Sequence, residues 1–293
     1  MEYFGLLLEL TGGAMQTVTM NNNLEIPQLG FGTWQIPEGK AAYESVRYAL
    51  EVGYRHIDTA AAYGNEESVG RAIRESGNDR EEIFLTTKLH NNDHGYEQTK
   101  EAFLESLRKL DTDYVDLYLI HWPNPIASRS HWQDANRGSW KAMEEFVRQG
   151  LIKSIGISNF REHHIESLLE RAEIKPQVNQ IRLYAGEQQH KLVQYCKDKG
   201  MVLEAYSPLG TGGLLSSPLI KSIAEEVGKS PAQVCLRYDV QRGHVVLPKS
   251  VTPSSILQNK DIFDFTLNEE QMTKLNEMEN ICGPTQNPDE TSF

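Results

Sequence analysis

Four residues that could carry out proton chemistry lie at or near the ends of short apolar runs: Asp58, Tyr63, Lys88 and His121. An ammonium beside a phenol favours the phenolate, so Lys88 is predicted to lower the pKa of Tyr63 from about 10. Tyr63 could then give a proton to a developing alkoxide near neutral pH, while His121 hydrogen-bonds the same oxygen. A lysine directed into a fold needs a charge partner, and Asp58 is available. The set suits reduction of a carbonyl group, in which a hydride reaches carbon and Tyr63 protonates oxygen.

The segment that carries Asp58 and Tyr63 is predicted to connect a strand to a helix. Asn65 followed by Glu66 and Glu67 is typical of a helix N-cap with acids in the first turn. For Asp58 or Tyr63 alone, a turn cap or a packed ring is the better interpretation. The functional interpretation therefore depends on the elements that position the other residues.

Short apolar runs alternate with helical patterns along the whole chain. The predicted strands are residues 28–32, 55–58, 83–88, 114–121, 152–158, 177–181, 201–207 and 245–250. Between them, residues such as Phe103, Leu107 and Leu110 recur at helical spacing. Alternation of this kind implies parallel strands joined by right-handed crossovers. Eight strands that are apolar on both faces predict a (β/α)₈ TIM barrel, with a doubly wound open sheet as the alternative.

Polar residues stand at the carboxyl ends of these predicted strands. They are Asp58, Lys88, His121, Ser158, Asn159, Gln180, Tyr206, Ser207, Lys249 and Ser250. In a barrel such ends converge on one mouth, where the active sites of this fold lie. Three longer stretches are predicted to rim that mouth as loops: residues 122–139, residues 207–217 and the tail after Ile281.

Composition excludes several classes of partner. The 293 residues are 39% hydrophobic and 24% charged, which is typical of a soluble globular chain. A net charge of -12 argues against nucleic acid or an anionic membrane as the main partner. No apolar run reaches the length of a membrane span. Three widely spaced cysteines without a CxxC pair favour a reducing compartment without disulfides or a zinc site.

The chain is expected to hold a single barrel domain over residues 15–293. Residues 1–14 contain a short apolar patch but no basic region, so they are a poor signal peptide. We expect them to be an N-terminal extension that is peripheral to function. Either Met1 or Met15 could be the start of the protein.

Other features of the sequence give weaker evidence for a functional site than these strand ends do. Gly30 and Gly32 resemble part of a phosphate fingerprint, but the third glycine and the following helix start are missing, so a Rossmann site is rejected. Trp34 and Trp122 stand at strand ends and are expected to wall a pocket. Lys88 as a Schiff-base lysine is disfavoured, because pairing with Asp58 keeps its amine charged.

Two pairs of histidines are not expected to bind a metal. His163 and His164 are adjacent and therefore do not share a helical face. His90 and His94 flank the loop NNDHG without carboxylates nearby, and we expect them to be solvated. The sequence thus predicts no metal site.

An ordered set of motifs resembles the aldo-keto reductases over roughly residues 17–280. The motifs are GFGTW, GYRHIDTAAAYGNEESVGRAI, TTKL, DYVDLYLIHWP, GLIKSIGISNF, PQVNQI, AYSPLG and VLPKS. In particular, the chain is similar to bacterial and protist members such as 2,5-diketo-gluconate reductases, glyoxal reductases and prostaglandin F synthases. The resemblance implies a barrel that binds NADPH extended across its mouth without a Rossmann fold. It also implies a catalytic tetrad of Asp58, Tyr63, Lys88 and His121, with Tyr63 as the general acid.

The resemblance also assigns binding roles to residues around the mouth. For the nicotinamide end of the cofactor, contacts are implied for Ser158, Asn159 and Gln180 at the carboxamide and for Tyr206, which stacks on the ring. For the rest of the nucleotide, they are implied for Ser207 and Leu209 at the pyrophosphate and for Lys249 and Ser250 at the 2′-phosphate. Further cofactor contacts are implied for Gly32, Thr33, Trp34, Asp58 and Asn259. Substrate contacts are implied for Trp34, Tyr63, His90, His121 and Trp122.

Some positions depart from the family pattern. Where relatives carry Glu-x-His-Pro after VNQI, this chain has Arg182, Tyr184 and Ala185. His90 replaces a tryptophan, which makes that pocket wall smaller and more polar. Ser254 and Ser255 replace a Glu-Arg pair, and Gln258 replaces a later glutamate. We therefore expect NADPH to be preferred, with NADH also accepted.

The function expected from the sequence is NADPH-dependent reduction of aldehydes and activated ketones, such as methylglyoxal and 2,5-diketo-gluconate, by a cytoplasmic monomer. Its expected partner is a small-molecule carbonyl compound, with neither nucleic acid nor membrane. The alternative is a cofactor-binding regulatory barrel that resembles the potassium-channel β subunits. The absence of a long N-terminal arm favours the enzyme.

Overall fold

A computed structural model describes residues 15–293, so the expectation for residues 1–14 lies outside the described residues. Eight parallel strands form one sheet. They are β3 (Phe31–Gly32), β4 (His56–Asp58), β5 (Phe84–Leu89), β6 (Val115–Ile120), β7 (Ile152–Ser158), β8 (Val178–Arg182), β9 (Val202–Tyr206) and β10 (Val245–Leu247). Each of them lies within or close to a predicted run. The last strand ends before Pro248, which has no N–H to donate, so Lys249 and Ser250 follow the strand.

The sheet is closed into a barrel. Its strands are ordered from β3 to β10 in sequence order, and a parallel bridge between Leu29 and Val246 joins the two edges. Gly30 N donates to Val246 O at 2.9 Å across this join. The predicted (β/α)₈ barrel is confirmed, and the open sheet is excluded.

Helices follow the strands and cover the barrel. They are α1 (Lys40–Glu51), α2 (Glu66–Arg74), α3 (Tyr96–Leu110), α4 (Trp132–Arg148), α5 (Glu162–Leu169), α6 (His190–Asp198), α7 (Pro218–Val227), α8 (Pro231–Gln241), α9 (Pro253–Lys260) and α10 (Glu269–Asn276). The first stretch predicted to be a loop is shorter than expected, because a 3-10 helix (Ile126–His131) leads directly into α4. Within the described part of the chain, no helix is long and apolar enough to cross a membrane.

A hairpin that the sequence did not predict covers the amino-terminal end of the barrel. Its strands are β1 (Thr17–Thr19) and β2 (Glu25–Pro27), paired antiparallel. Met20 and Ile26 are buried in one apolar cluster with the first residues of β5, β8, β9 and β10. Asn21 also donates a hydrogen bond to the main-chain carbonyl at residue 176. The barrel is therefore plugged at the end where its strands begin.

Glycine at position 30 serves packing rather than phosphate binding. A Cβ on Gly30 would lie 2.6 Å from Leu247 Cδ2 and 2.8 Å from His56 Nδ1. Those distances are too short for any side chain, so the residue allows β3 and β10 to close the barrel. This agrees with the rejection of a Rossmann site. Cys196, Cys235 and Cys282 are free thiols.

Candidate active site

Lys88 is the centre of a buried hydrogen-bonded group at the barrel mouth. Its ammonium donates to Asp58 Oδ1 at 2.7 Å, to the Thr59 carbonyl at 2.8 Å and to Tyr63 OH at 3.2 Å. The Lys88 side chain is fully buried. Because an ammonium has three hydrogens, all of them are used by these partners. Three of the four predicted catalytic residues are therefore in direct contact.

The local fold explains how Asp58 and Tyr63 reach Lys88. The Asp58 carbonyl accepts hydrogen bonds from Thr33 N and Thr33 Oγ1 at 3.0 and 2.9 Å, which fixes the end of β4. Tyr63 ends a short 3-10 helix, and Gly64 follows in the left-handed region at φ 67°. Glycine adopts that region at little cost, so the chain can turn from Tyr63 into α2.

Asn65 has a different role from the one predicted. It precedes α2 as expected, but its side chain does not cap the helix. Its amide nitrogen instead donates to the carbonyls of Thr33 and Ile36 at 2.9 and 3.0 Å, and its oxygen accepts from Thr59 Oγ1 at 2.7 Å. Asn65 thereby links the loop after β3 to the loop after β4, in which Thr59 follows Asp58.

The predicted fall in the pKa of Tyr63 is wrong. Burial raises the pKa of this phenol above its ordinary value, and it outweighs the opposing effect of Lys88. Burial alone would lower the pKa of Lys88, but Asp58 and Tyr63 together raise it. Tyr63 is consequently a phenol that keeps its proton at neutral pH, next to a permanently charged lysine.

His121 completes the predicted tetrad on the other side of Tyr63. It directly follows β6, and its ring meets the Tyr63 ring edge to face with centroids 5.7 Å apart. Burial lowers the pKa of His121 well below its usual range, and Lys88 acts in the same direction. Its main-chain carbonyl accepts a hydrogen bond from Asn159 Nδ2 at 3.0 Å. His121 is therefore a neutral imidazole, which can donate one hydrogen bond.

Four further predicted residues meet on the adjoining strands. Ser158 lies in register with Gln180 and donates from Oγ to its carbonyl at 2.8 Å. Asn159 Oδ1 accepts from Tyr206 OH at 2.7 Å. Asn159 has φ 61°, a left-handed conformation that is uncommon for a residue with a side chain and that clusters at functional sites. The structure thus places these residues together at the mouth.

Ser207 and Leu209 begin an irregular segment after β9. Ser207 has φ 50°, and a 3-10 helix (Gly210–Ser216) follows Leu209. Within that helix, Thr211 and Gly212 also have positive φ. The main chain here is held in a conformation unlike that of a regular strand-to-helix connection.

The residues predicted to contact the 2′-phosphate and its surroundings form a separate group. Lys249 is exposed, and Ser250 Oγ accepts from Thr252 N at 3.0 Å. Helix α9 starts at Pro253 and has no acid in its first turn. Asn259 is 5% exposed. Within residues 15–293, no hydrogen bond joins this group to the tetrad.

The predicted substrate residues differ in their surroundings. Trp34 is 46% exposed, which is unusual for a tryptophan. The Trp122 ring lies edge to face with Phe293 at 5.3 Å. His90 Nδ1 accepts from Asn92 N at 3.1 Å. His94 is 8% exposed, so the expectation that it is solvated is wrong.

The tail that ends at Phe293 is held over the mouth by His163 and His164. Their Nε2 atoms lie 3.0 and 2.8 Å from the two carboxylate oxygens of Asp289, so the helical-face argument against a shared site is wrong. His164 Nδ1 accepts from Arg161 N at 3.0 Å. A neutral His164 therefore carries its proton on Nε2 and donates it to Asp289. This arrangement suits anchoring of the tail, and the absence of a metal site stays a prediction.

One buried residue at the site was missed. Glu204, on β9, is fully buried and accepts from Gln180 Nε2 at 2.9 Å. Its signal in the sequence is a glutamate inside the apolar run MVLEAYS. Charged residues are almost never fully buried without a partner.

Comparison with known proteins shows the family of this chain. The model of the Aldo/keto reductase family matches residues 28–280. A glyoxal reductase of Bacillus subtilis is 48% identical over 280 residues, which cover 94% of this chain and 98% of that protein. A methylglyoxal reductase of Escherichia coli is 43% identical over 270 residues, which cover 92% of this chain and 94% of that protein.

Solved structures show the same barrel. The crystal structure of an aldo/keto reductase from Brucella melitensis is 48% identical and superimposes with a TM-score of 0.85, covering 90% of this chain and 99% of that one. The family model matches residues 28–280, which are most of the chain, and the glyoxal reductase is 48% identical to it. The chain therefore belongs to the aldo/keto reductase family and is an oxidoreductase of carbonyl compounds.

Proposed function

We propose that this protein is an NADPH-dependent reductase of small aldehydes and activated ketones, with Tyr63 as its general acid. The observation that carries the proposal is the position of Lys88 Nζ, which contacts Asp58 Oδ1 at 2.7 Å and Tyr63 OH at 3.2 Å. We further infer that residues 15–293 act as one domain in a cytoplasmic monomer. Their single eight-stranded sheet supports the single domain.

The tetrad residues divide the proton chemistry between them. Tyr63 holds its proton until the carbonyl oxygen becomes basic enough to take it. Lys88 then stabilises the phenolate left behind, because its charge lies within hydrogen-bonding distance. Asp58 keeps Lys88 charged and fixed in place. Neutral His121 donates a hydrogen bond to the same oxygen and so orients the carbonyl group.

The residues at the mouth fit NADPH. Lys249 and the acid-free first turn of α9 provide a cation and a helix N-terminus, which suit a 2′-phosphate. The side chain of Asn259 makes no hydrogen bond within residues 15–293 although it is 5% exposed, so it can accept a ligand contact. Bound NADPH would supply the hydride.

We assign the remaining contacts as the resemblance implies. The groups are Ser158, Asn159 and Gln180 for the carboxamide, Tyr206 for the nicotinamide ring, Ser207 and Leu209 for the pyrophosphate, Lys249 and Ser250 for the 2′-phosphate, and Gly32, Thr33, Trp34, Asp58 and Asn259 along the rest of the cofactor. The proximity of Ser158, Asn159, Gln180 and Tyr206 supports the first two groups.

Substrate choice can be tested with a panel of carbonyl compounds. We expect methylglyoxal and keto-sugars to have the highest kcat/KM, ahead of steroids and bulky aromatic ketones. His90, the exposed Trp34 and Trp122 would line a small polar pocket, and the named substrates of the two relatives are of this type. The measurement is NADPH oxidation with each compound at subsaturating concentration. A steroid ranked first would contradict the pocket, and NADPH binding without turnover of any compound would favour a regulatory barrel.

The choice of nucleotide depends on Lys249. Lys249→Ala should raise the Kd of NADPH by roughly one to two decades, because a charge-assisted contact contributes about 1.5–3 kcal/mol. The Kd of NADH, which lacks the 2′-phosphate, should change little. Ser255→Arg should tighten NADPH selectively, since a guanidinium binds phosphate bidentately.

Tryptophan fluorescence quenching gives the Kd of both nucleotides for the wild type and the two variants. Lys153→Ala is a matched control, because Lys153 is an exposed lysine at the start of β7 and pairs with Asp116. Equal weakening of NADPH and NADH by Lys249→Ala would show that this lysine does not read the 2′-phosphate.

A further inference from the structure

The carboxyl group of Glu204 lies inside the barrel, one strand away from Gln180. Glu204 and Gln180 are register partners on the parallel strands β9 and β8. Gln180 Nε2 donates to Glu204 Oε2 at 2.9 Å and to Asp58 Oδ2 at 2.8 Å. All three residues are at least 97% buried. Two carboxyl groups, one of them from the tetrad, therefore share one amide nitrogen inside the barrel.

This arrangement leaves the Gln180 amide with one orientation. A primary amide has two hydrogens on nitrogen and an acceptor oxygen. Both hydrogens are used by Asp58 and Glu204, so a flip would place the amide oxygen against two carboxyl oxygens. Such a buried acceptor–acceptor contact is costly. Gln180 Oε1 is left free to accept a hydrogen bond, and no residue within 15–293 donates one to it.

The other side of Glu204 suits a neutral carboxyl. Its Oε1 lies 3.5 Å from His56 Nε2. His56 Nδ1 lies 3.2 Å from the Pro27 carbonyl, so Nδ1 carries the ring proton and Nε2 is the acceptor. Burial and the nearby Asp58 raise the pKa of Glu204 above its usual value, and burial lowers the pKa of His56 to about 4. A proton on Glu204 Oε1 would face His56 Nε2 at 3.5 Å, a nitrogen that Thr86 Oγ1 also approaches at 3.4 Å, and Oε2 would remain the acceptor for Gln180.

We propose that Glu204 is a positioning residue that fixes the Gln180 amide so that Oε1 accepts a hydrogen bond from the carboxamide amino group of a nicotinamide cofactor. This proposal rests on the proposed function for the assignment of Gln180 to the carboxamide. Asp58 alone would hold only one of the two amide hydrogens. Glu204 takes the other and adds a second acceptor against which the oxygen of a flipped amide would lie, while the flipped nitrogen would face the amino group.

The Kd values of three nucleotides distinguish this positioning role from a purely structural role of Glu204 in the barrel. NADP⁺ has the carboxamide amino group, its 3-acetylpyridine analogue has a methyl group in that place, and 2′,5′-ADP lacks the nicotinamide altogether. We expect Glu204→Met to raise the Kd of NADP⁺ about tenfold, as for loss of one buried hydrogen bond. The Kd of the other two nucleotides should stay within about twofold of the wild type.

Glu204→Gln provides the conservative rescue. Its amide oxygen can still accept from Gln180 Nε2, and its nitrogen can donate to His56 in place of the carboxyl proton. We therefore expect the Kd of NADP⁺ for Glu204→Gln to remain within about threefold of the wild type. If Glu204→Met does not fold, Glu204→Gln alone still tests the proposal, because it should keep the wild-type preference for NADP⁺ over the 3-acetylpyridine analogue.

The outcomes are distinguishable. Equal weakening of all three nucleotides by Glu204→Met would overturn the positioning role, and so would selective loss of NADP⁺ in Glu204→Gln. A wild-type protein that binds none of the three nucleotides would instead contradict the proposed function. Calorimetric Kd values, with thermal unfolding of each variant as the folding check, give all of these results without an activity assay.

Discussion

Tyr63→Phe is expected to lower kcat for carbonyl reduction by roughly 10²–10⁴-fold, the usual contribution of a general acid. The substitution removes the hydroxyl that Lys88 contacts at 3.2 Å, and it keeps the ring that packs on His121. The Kd of NADPH should therefore stay near the wild-type value. Stopped-flow measurement of hydride transfer, together with fluorescence titration of NADPH, separates the two effects.

Tyr96→Phe is a suitable control for this prediction. Tyr96 OH donates to Glu145 Oε2 at 2.7 Å between α3 and α4, so the control loses one hydrogen bond of the same type outside the mouth. Its kcat should match the wild type. If Tyr63→Phe turned over within about tenfold of the wild type, another group would have to donate the proton.

Lys88→Met should be severe in both activity and stability. Removal of the ammonium leaves the buried Asp58 carboxylate without the partner at 2.7 Å, and breaking a buried ion pair in this way costs about 3–5 kcal/mol. The Tyr63 phenolate would also lose its stabilising charge. We expect a fall in kcat of at least about a hundredfold and a clear loss of unfolding free energy in denaturant.

The double variant Asp58→Asn with Lys88→Met distinguishes charge from packing. It removes both charges, so most of the lost unfolding free energy should return, while kcat should remain as low as in Lys88→Met. Recovery of activity together with stability would mean that Lys88 acts only through the fold. A double variant no more stable than Lys88→Met would show that the methionine side chain, rather than the unpaired carboxylate, causes the loss.

The barrel was predictable because its strands carry a strong local signal. Strands buried on both faces appear as continuous apolar runs, as in the fully buried β5 and β6. Residues at the ends of parallel strands must converge, so the meeting of Asp58 with Lys88 followed from the fold class alone. The hairpin of β1 and β2 gave no comparable signal, because each strand has three residues and is partly exposed.

Properties that depend on how deeply a group is buried, or on a partner far away in the sequence, could not be predicted. The sign of the Tyr63 pKa shift is set by burial, and the sequence specified only the neighbour that opposes it. Asp289 meets His164 across a sequence separation of 125 residues, along a tail whose path has no regular pattern. Glu204 was visible as a charge in an apolar strand, but its partner Gln180 became evident only from the register of β8 and β9.

The hairpin at the closed end of the barrel offers a place to attach the protein to a surface. Leu24 lies in its turn and is 41% exposed, whereas the tetrad opens at the opposite end. An electrode or resin linked through position 24 would hold every molecule with its mouth toward the bulk liquid. Immobilised in this orientation, the reductase should keep the KM it has when free, because the support and the reactants would never share the same side of the barrel.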